Sequence, residues 1–263
     1  MDILEKPSDL IDVDARKQVW AEKMQSATPM LSQYFEIKQQ NPDSLLFFRM
    51  GDFYELFFDD AIEAAKALDI TLTRRGKHQD EDIPMCGVPF HAADVYLGRL
   101  IRQGFRVAIC EQIEDPVEAR KRGSKSVVKR AVARVITPGT VTEDSLLDSR
   151  SNNYLACVTL VHETLSVAWV DVSTGDLQTQ HLELDQLGTV LARISPTEIL
   201  VPEKLSRQGE DFENIGLQLN DWRANLTILP NSRFDSANGI KRLEKLYNVA
   251  TLDSFGSFSR SEL

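Results

Sequence analysis

The stretch that decides the fold class is residues 45–68, which have the sequence LLFFRMGDFYELFFDDAIEAAKAL. The continuously apolar residues 45–48 predict a buried strand, and the Arg-Met-Gly-Asp at 49–52 predicts a turn after it. Between residues 54 and 68, apolar side chains recur at helical spacing, so a helix is expected there. A strand followed at once by a helix is typical of α/β proteins.

The rest of the first half continues this alternation. Thr28 and Pro29 predict the start of a helix that Asn41 and Pro42 end. Further strands are expected at residues 70–73, 105–110 and 127–136, and a further helix at 92–103, closed by Gly104. Residues 74–82 suggest a polar loop, and residues 83–89 are too rich in Pro and Gly for regular structure. This half is predicted to be a mixed α/β domain.

The second half begins with three alternating segments, at residues 154–161, 165–172 and 177–182, which indicate an antiparallel meander. Helices are then expected at 186–194 and 239–249, and strands at 198–201 and 217–222. Three antiparallel strands followed by alternating helices and strands predict an RNase-H-like topology. The fold class is therefore α/β (mixed), with a mixed-sheet α/β domain followed by an RNase-H-like α/β domain.

Composition divides the chain into four regions. We expect an N-terminal extension at 1–27, a first domain at 28–135, a polar linker at 136–151 and a second domain at 152–263. The length of 263 residues and the hydrophobic fraction of 42% fit two folded domains.

Composition also excludes several classes of protein. No run approaches the roughly 18 apolar residues of a membrane-spanning helix, and the acidic N-terminus does not resemble a signal peptide, so a cytoplasmic, non-membrane protein is expected. Cys86, Cys110 and Cys157 are few and far apart, which argues against both disulfides and a zinc site.

Charge is distributed unevenly along the chain. The formal net charge is −10, yet residues 116–134 hold seven basic side chains and one acidic one. The basic residues are Arg120, Lys121, Arg122, Lys125, Lys129, Arg130 and Arg134. Such a cluster could hold a polyanion, or it could be a solvated surface that keeps the protein soluble.

Enzyme motifs are missing from the sequence. It contains no P-loop, dinucleotide-binding, zinc-protease or nucleophile-elbow motif, and its four histidines are scattered. An RNase-H-like half leaves one enzymatic alternative, a metal-dependent nuclease built on Asp171, with Asp176, Glu183 and Asp185 as weaker candidates. The other alternative for Asp171 is a polar residue at a strand end.

The segment GDFYELFF at residues 51–58 carries more aromatic side chains than one helix face can bury. At least one of them is therefore expected to be exposed. Phe53, at the turn, is the best candidate, and Glu55 follows two residues later. The alternative is a hydrophobic staple at Phe53 with a first-turn Glu55 favoured by the helix dipole.

Several long motifs resemble the N-terminal part of the MutS family of bacterial DNA mismatch recognition proteins. They are FRMGDFYELF at 48–57, LDITLTRRG at 68–76, IPMCGVPFH at 83–91, CEQ at 110–112 and TPGT at 137–140. They occur in the family's order, and the resemblance extends from about Thr28 to the end of the chain. It implies a mismatch-recognition domain followed by an RNase-H-like connector domain.

The resemblance assigns the Phe-x-Glu of the family to Phe53 and Glu55. Phe53 is then the wedge that enters the minor groove and stacks on a mispaired base, and Glu55 hydrogen-bonds to that base, while the DNA is kinked. Arg74, Arg75 and Lys77 are candidates for phosphate contacts, and Met85 for a contact along the groove. The alternative for these four is a solvated turn and a core side chain.

Glu55 raises a question of charge, because a carboxylate near phosphates repels DNA. Either it takes up a proton in the complex and donates to the base, or it accepts from a base N–H as an anion and its repulsion disfavours ordinary duplex. We expect the first for at least some mispairs.

The resemblance also implies partners. They are mismatched or looped duplex DNA, the protein MutL through the connector domain, and the core, clamp and ATPase domains of a homodimeric parent protein. ATP and magnesium belong to that parent, so this fragment is expected to have no cofactor, no metal and no catalytic site, and to be monomeric. A protein-binding scaffold without DNA contact is the remaining alternative.

Overall fold

The computed structural model describes residues 27–123, 126–142, 147, 152–161, 163–206 and 212–256. The predicted extension therefore lies outside the described residues except for Ala27, and so does half of the predicted linker. The chain divides into two compact units, the first ending at Thr137 and the second beginning at Pro138.

The first unit is a six-stranded mixed sheet with helices. Its elements in order are α1 (Pro29–Gln40), β1 (Leu45–Met50), β2 (Phe53–Phe57), α2 (Phe58–Leu68), β3 (Thr73–His78), β4 (Glu81–Pro89), α3 (Ala93–Arg102), β5 (Val107–Gln112), α4 (Pro116–Lys121) and β6 (Arg130–Ile136). The strand order is β3-β4-β2-β1-β5-β6. The pair β1 and β5 is parallel, and the other neighbours are antiparallel. The predicted mixed α/β domain is confirmed.

Helix α1 covers one part of this sheet. Thr28 accepts a hydrogen bond from the Leu31 amide and Pro29 opens the helix, as predicted. Tyr34 and Phe35, both fully buried, pack in a cluster with Phe48 and Phe57 of the sheet. Burial of these rings fixes the helix across strands β1 and β2.

A buried ion pair joins α1 to α2. Lys38 Nζ lies 2.8 Å from Asp60 Oδ1 and also donates to the Ser44 carbonyl at 2.6 Å. Asp60 Oδ2 accepts from the Leu46 amide at 2.9 Å and from the Tyr34 hydroxyl at 3.3 Å. The carboxylate therefore links two helices and the first strand.

The structure corrects the helix predicted at 54–68. Residues 53–57 form strand β2, and helix α2 begins only at Phe58. The chain passes from strand to helix at Phe58 itself, which has a left-handed φ of +54°, and no side chain caps the helix. Because the usual capping and turn residues are missing, the helical pattern of α2 extends falsely backwards into the strand.

The region after α2 is also corrected. The strand expected at 70–73 and the loop expected at 74–82 are replaced by β3, which begins at Thr73 and pairs with β4. Residues 83–89, predicted to be irregular, belong to the nine-residue strand β4. Pairing with both β2 and β3 holds Pro84 and Pro89 in extended backbone, which suits the fixed φ of proline.

The second unit contains β7 (Tyr154–Val161), β8 (Thr164–Asp171), β9 (Asp176–Leu182), α5 (Leu187–Ile194), β10 (Glu198–Pro202), α6 (Phe212–Leu219), β11 (Leu226–Leu229) and α7 (Ser236–Tyr247). Its sheet has the order β11-β10-β7-β8-β9, with an antiparallel meander and two parallel pairings. The predicted topology is confirmed. The strand expected at 217–222 is wrong, because α6 and a 3-10 helix (Asn220–Asn225) occupy it. Ile215 and Leu219, one helical turn apart, are both 1% exposed, which helical geometry requires.

Glu198 holds the beginning of the second unit. Its buried carboxylate accepts from the Gly139 amide at 3.1 Å and from the Thr227 hydroxyl at 2.6 Å. A Cβ atom at Gly139 would lie 2.7 Å from Glu198 Cβ and 2.8 Å from a Leu155 methyl group. Glycine is therefore required at position 139, where the backbone lies against Glu198 of β10 and Leu155 of β7.

The three cysteines are free thiols, and burial raises the pKa of Cys86, Cys110 and Cys157 to about 12 each. Within the described ranges, no helix is both long and apolar enough to cross a membrane.

Candidate nucleic-acid interface

A tight hairpin presents Phe53. Strands β1 and β2 are antiparallel with Met50 opposite Phe53, and Gly51 and Asp52 form the turn between them. Gly51 has a φ of +61°, which glycine adopts at little cost. Phe53 is 47% exposed, whereas Tyr54 and Phe57 of the same strand are 4% and 1% exposed. The strand thus buries its other aromatic rings and leaves one in solvent at the turn.

Alternation along β2 explains why Phe53 and Glu55 belong together. Residues 53, 55 and 57 point to one face of the sheet, because strand side chains alternate. Phe57 is covered by α1 and belongs to the buried cluster, whereas Phe53 and Glu55 do not. The site is therefore the uncovered continuation of the face on which α1 packs.

Glu55 is half-enclosed and paired. It lies opposite Phe48 on β1 and opposite Gly87 on β4. Its Oε2 atom accepts a hydrogen bond from Nη1 of Arg75, and the two side chains are 15% and 43% exposed. A Cβ atom at Gly87 would be in ordinary contact with Glu55 Cγ at 3.8 Å and with Phe53 Cδ1 at 4.0 Å, so this position lies directly beside both side chains.

Arg130 of β6 is a second cation near Glu55. Its guanidinium donates to the Arg49 carbonyl at 2.7 Å and to Gln33 Oε1 at 3.0 Å, and lies 4.7 Å from the centroid of the Phe48 ring. Burial lowers the pKa of Arg130, and attraction to Cys110 and Glu55 acts in the opposite direction. Of the seven cations in the predicted basic cluster, this one is thus held beside the site.

The opposite face of the hairpin carries a brace that the sequence reasoning missed. Arg49 stacks on Phe90, with its Cζ atom 3.3 Å from the ring centroid, and its Nε donates to the Gly51 carbonyl at 2.6 Å. The Phe90 amide donates to the Asp52 carbonyl at 2.8 Å, and the Tyr54 hydroxyl donates to Glu111. Burial, helped by Glu111, raises the pKa of Tyr54. The turn that carries Phe53 is therefore held from behind, and strand alternation of Arg49 and Tyr54 would have been its only signal.

The remaining predicted contact residues are spread over β3 and β4. Arg74 is exposed and pairs with Asp82 at 2.8 Å, and Lys77 is exposed on the same strand. Met85 is partly buried and packs against the aromatic cluster, opposite Phe57. Arg75 is the member of this predicted group that the structure brings into contact with Glu55.

The other basic side chains near residue 120 are partly neutralised by acids. Arg122 forms a two-pronged pair with Glu114, with both N···O distances 2.6 Å, and Lys121 pairs with Glu118. Hydrogen bonds from Arg122 and from the Lys129 amide lower the pKa of Glu114 to about 2.

Two of the candidate nuclease carboxylates, Asp171 and Glu183, form local hydrogen bonds at a turn and at a helix end. Asp171 ends β8 and is buried, and its Oδ1 accepts from the Ser173 amide at 2.9 Å and from the Ser173 hydroxyl at 2.6 Å. Glu183 caps the 3-10 helix that contains Asp185. In the described part of the chain, no three His, Cys, Asp or Glu side chains are grouped so that they could hold a metal ion.

Comparison with known proteins gives two family matches. Residues 28–145 match the model of MutS domain I, and residues 153–263 match that of MutS domain II. Proteins named DNA mismatch repair protein MutS from Dinoroseobacter shibae and Cereibacter sphaeroides are each 55% identical to this chain over 238 residues. The MutS protein of Ruegeria pomeroyi is 53% identical over 240 residues. These alignments cover 90–91% of this chain but only 26–27% of the relatives, so the chain spans about a quarter of their length.

Proposed function

The chain belongs to the MutS family and spans its domains I and II, and on that premise we propose that it recognises mispaired or looped sites in duplex DNA with the β1–β2 hairpin. Phe53 is the wedge that enters the minor groove and stacks on the mispaired base. Glu55 is the carboxylate that hydrogen-bonds to the same base.

The observation that carries this proposal is the exposure of Phe53 at a braced turn. The Phe53 ring is 47% exposed, so a base can stack on it. Stacking of one base on an aromatic ring is worth about 1–3 kcal/mol. The brace of Arg49 and Phe90 behind the turn keeps the hairpin from yielding when the ring is pushed between bases.

Discrimination then follows from the DNA rather than from base-specific contacts. A mispaired step unstacks and kinks at a lower cost than a paired one, so a protein that must insert a wedge binds the defect in preference. Glu55 adds a hydrogen bond to the mispaired base. For some mispairs it takes up a proton in the complex and donates to the base.

This proton uptake has its own test. The affinity of the unsubstituted chain for a G·T duplex should fall as pH rises, and the affinity of Glu55→Gln should change less with pH. Equal pH profiles in the two proteins would exclude it.

Arg74 and Lys77 are proposed to face the phosphates next to the wedge, with Met85 along the groove, whereas Arg75, expected in the same role, pairs with Glu55. Loss of one phosphate contact should reduce the slope of log affinity against log salt by about 0.9. The second unit is proposed to act as the connector that offers a surface to MutL. The parent protein is proposed to work in the cytoplasm as a homodimer, with ATP bound outside domains I and II.

Photo-crosslinking tests the wedge directly, because it registers encounters too weak for equilibrium titration. Phe53 is replaced by p-benzoylphenylalanine, and adducts are mapped on duplexes with one G·T mispair, one unpaired base or no defect. Phe90 is the matched control, because it is also 47% exposed but stacks behind the turn.

Adducts from position 53 should concentrate at the defect, and those from position 90 should not. An even spread from position 53, without enrichment over matched duplex, would overturn the wedge in this chain. Absence of all DNA adducts would instead favour a protein-binding scaffold.

A further inference from the structure

We propose that Arg75 is the counter-ion of Glu55, and that it sets how well the site tolerates DNA by neutralising this carboxylate rather than by gripping a phosphate. The proposal rests on the proposed function of Phe53 and Glu55. It gives Arg75 a role different from that of its neighbour Arg74.

Two adjacent arginines have different partners in the structure. Arg74 pairs with Asp82 of the neighbouring strand, and its side chain is 77% exposed. Arg75 reaches Glu55, which lies two strands away in the order β3-β4-β2. An ion pair between neighbouring strands is common on a sheet surface, but one that passes over an intervening strand needs a specific local geometry.

A bulge supplies that geometry. Strands β3 and β4 are in register at Arg74–Pro84 and again at Lys77–Asp82, and the register shifts between these pairs. Arg75 and Gly76 lie in this irregularity, and Gly76 has a φ of +67°. Bulges redirect side chains out of the ordinary alternation. Gly87 on β4 leaves the surface beside Glu55 without a side chain, so that the guanidinium has room to approach it.

The ion pair with Arg75 uses only one of the two carboxylate oxygens of Glu55. Arg75 engages Oε2, and Oε1 has no hydrogen bond within the ranges that the structure describes. Arg130 on β6 adds a second positive charge near the carboxylate, but its guanidinium is already used by Gln33 and by the Arg49 carbonyl. At mispairs where Glu55 stays ionised, a base donor can therefore reach Oε1 while Arg75 continues to neutralise the carboxylate.

The counter-ion role predicts coupling between two substitutions. Without Arg75, Glu55 would face the phosphates as an uncompensated anion, and all duplex binding would weaken. In a Glu55→Gln background there is no charge to compensate, so that the same loss of Arg75 would have little effect. A phosphate contact would be lost equally in both backgrounds, because it does not depend on Glu55.

A double-mutant cycle in DNA binding is the test. Four proteins are compared: the unsubstituted chain, Arg75→Met, Glu55→Gln and the double variant. Their affinities are measured by fluorescence anisotropy on a labelled duplex with one unpaired thymidine and on its matched counterpart. Arg75→Met should weaken binding about fivefold in the parent background and less than about twofold in Glu55→Gln. Arg74→Met, made in the same two backgrounds, is the matched control and should give the same factor in both.

An equal loss in both backgrounds, with a salt slope reduced by about 0.9, would overturn the counter-ion role and make Arg75 a phosphate contact. A second cycle in urea without DNA keeps the pair testable if DNA binding is weak. It should show a coupling of about 1.4- to 5-fold in the unfolding equilibrium constant, and the absence of coupling would also overturn the proposal.

Phe53→Ala separates this proposal from the proposed function. If preference for the defect duplex survives that change, the wedge is wrong whatever the cycle gives. If the preference depends on Phe53 and the cycle is additive, only the counter-ion role fails.

Discussion

At the scale of single residues, Lys38 and Asp60 form a buried ion pair in the first unit. Lys38→Met would leave the Asp60 carboxylate buried without its cation. The expected loss in the free energy of unfolding is about 3–5 kcal/mol, because the remaining charge is poorly compensated. Urea unfolding followed by circular dichroism measures it.

Lys66→Met in helix α2 is the control for that measurement, because Lys66 is exposed. A loss in Lys38→Met no larger than in Lys66→Met would mean that the buried pair is replaceable by apolar packing.

Gly87 belongs to the same scale, since it controls the space beside the wedge. Its missing Cβ would be in ordinary contact with the Tyr54 carbonyl at 3.4 Å, so Gly87→Ala should fold with normal stability. Gly87→Leu adds a side chain next to Phe53 and Glu55, and should remove the preference for a defect duplex while changing the unfolding free energy by no more than about 1 kcal/mol. Anisotropy on both duplexes and urea unfolding check the two parts. A Leu variant that still prefers the defect would show that bases do not approach on this face.

At the scale of elements, Glu114 joins the segments on either side of α4. It accepts from Arg122 and, through Oε1, from the Lys129 amide at 2.6 Å. Its folded-state pKa of about 2 lies below its ordinary value, so these bonds stabilise the folded form above about pH 4.3 and are lost as pH falls through the folded pKa. The chemical shift of the Lys129 amide proton should titrate with a midpoint of about 2. This titration should disappear in Glu114→Gln. If it persists, the Lys129 amide proton responds to a group other than Glu114.

Element by element, prediction from sequence succeeded where the signal is local. Helix α1 has its cap and its proline at Thr28 and Pro29, and the meander β7–β9 alternates within each strand. Prediction failed for β2 and for β4, because their strand character comes from pairing partners far along the chain. Phe53 opposite Pro89 is one such pairing.

The candidate site divides in the same way. The aromatic excess of residues 51–58 indicated an exposed ring, with Phe53 as the best candidate, and the roles of Phe53 and Glu55 followed from the resemblance to the MutS family. The partnership of Arg75 with Glu55 was not visible, because it depends on the bulge between Arg74 and Lys77. The sequence alone does not show which of the adjacent Arg74 and Arg75 pairs with Glu55.

At the scale of the whole molecule, the division at Thr137 and Pro138 predicts that damage in one unit stays there. Gly139→Ala forces a Cβ to within 2.7 Å of Glu198 Cβ, and should destabilise the second unit by about 1–3 kcal/mol. Urea unfolding followed by hydrogen exchange resolves the two units separately. The first unit should keep its stability, and an equal loss in both would show that they unfold as one.

The thiols of the buried Cys86 and Cys110 and the partly buried Cys157 are expected to react slowly. Since burial raises the pKa of each cysteine to about 12, almost none of them is ionised at neutral pH, and thiol reagents attack the thiolate. A cysteine introduced at the exposed Asp52, in the turn beside Phe53, would therefore be the one fast-reacting position on a native background. A duplex with a disulfide-bearing tether near its mispair could then be captured covalently at the hairpin, without first removing any natural cysteine.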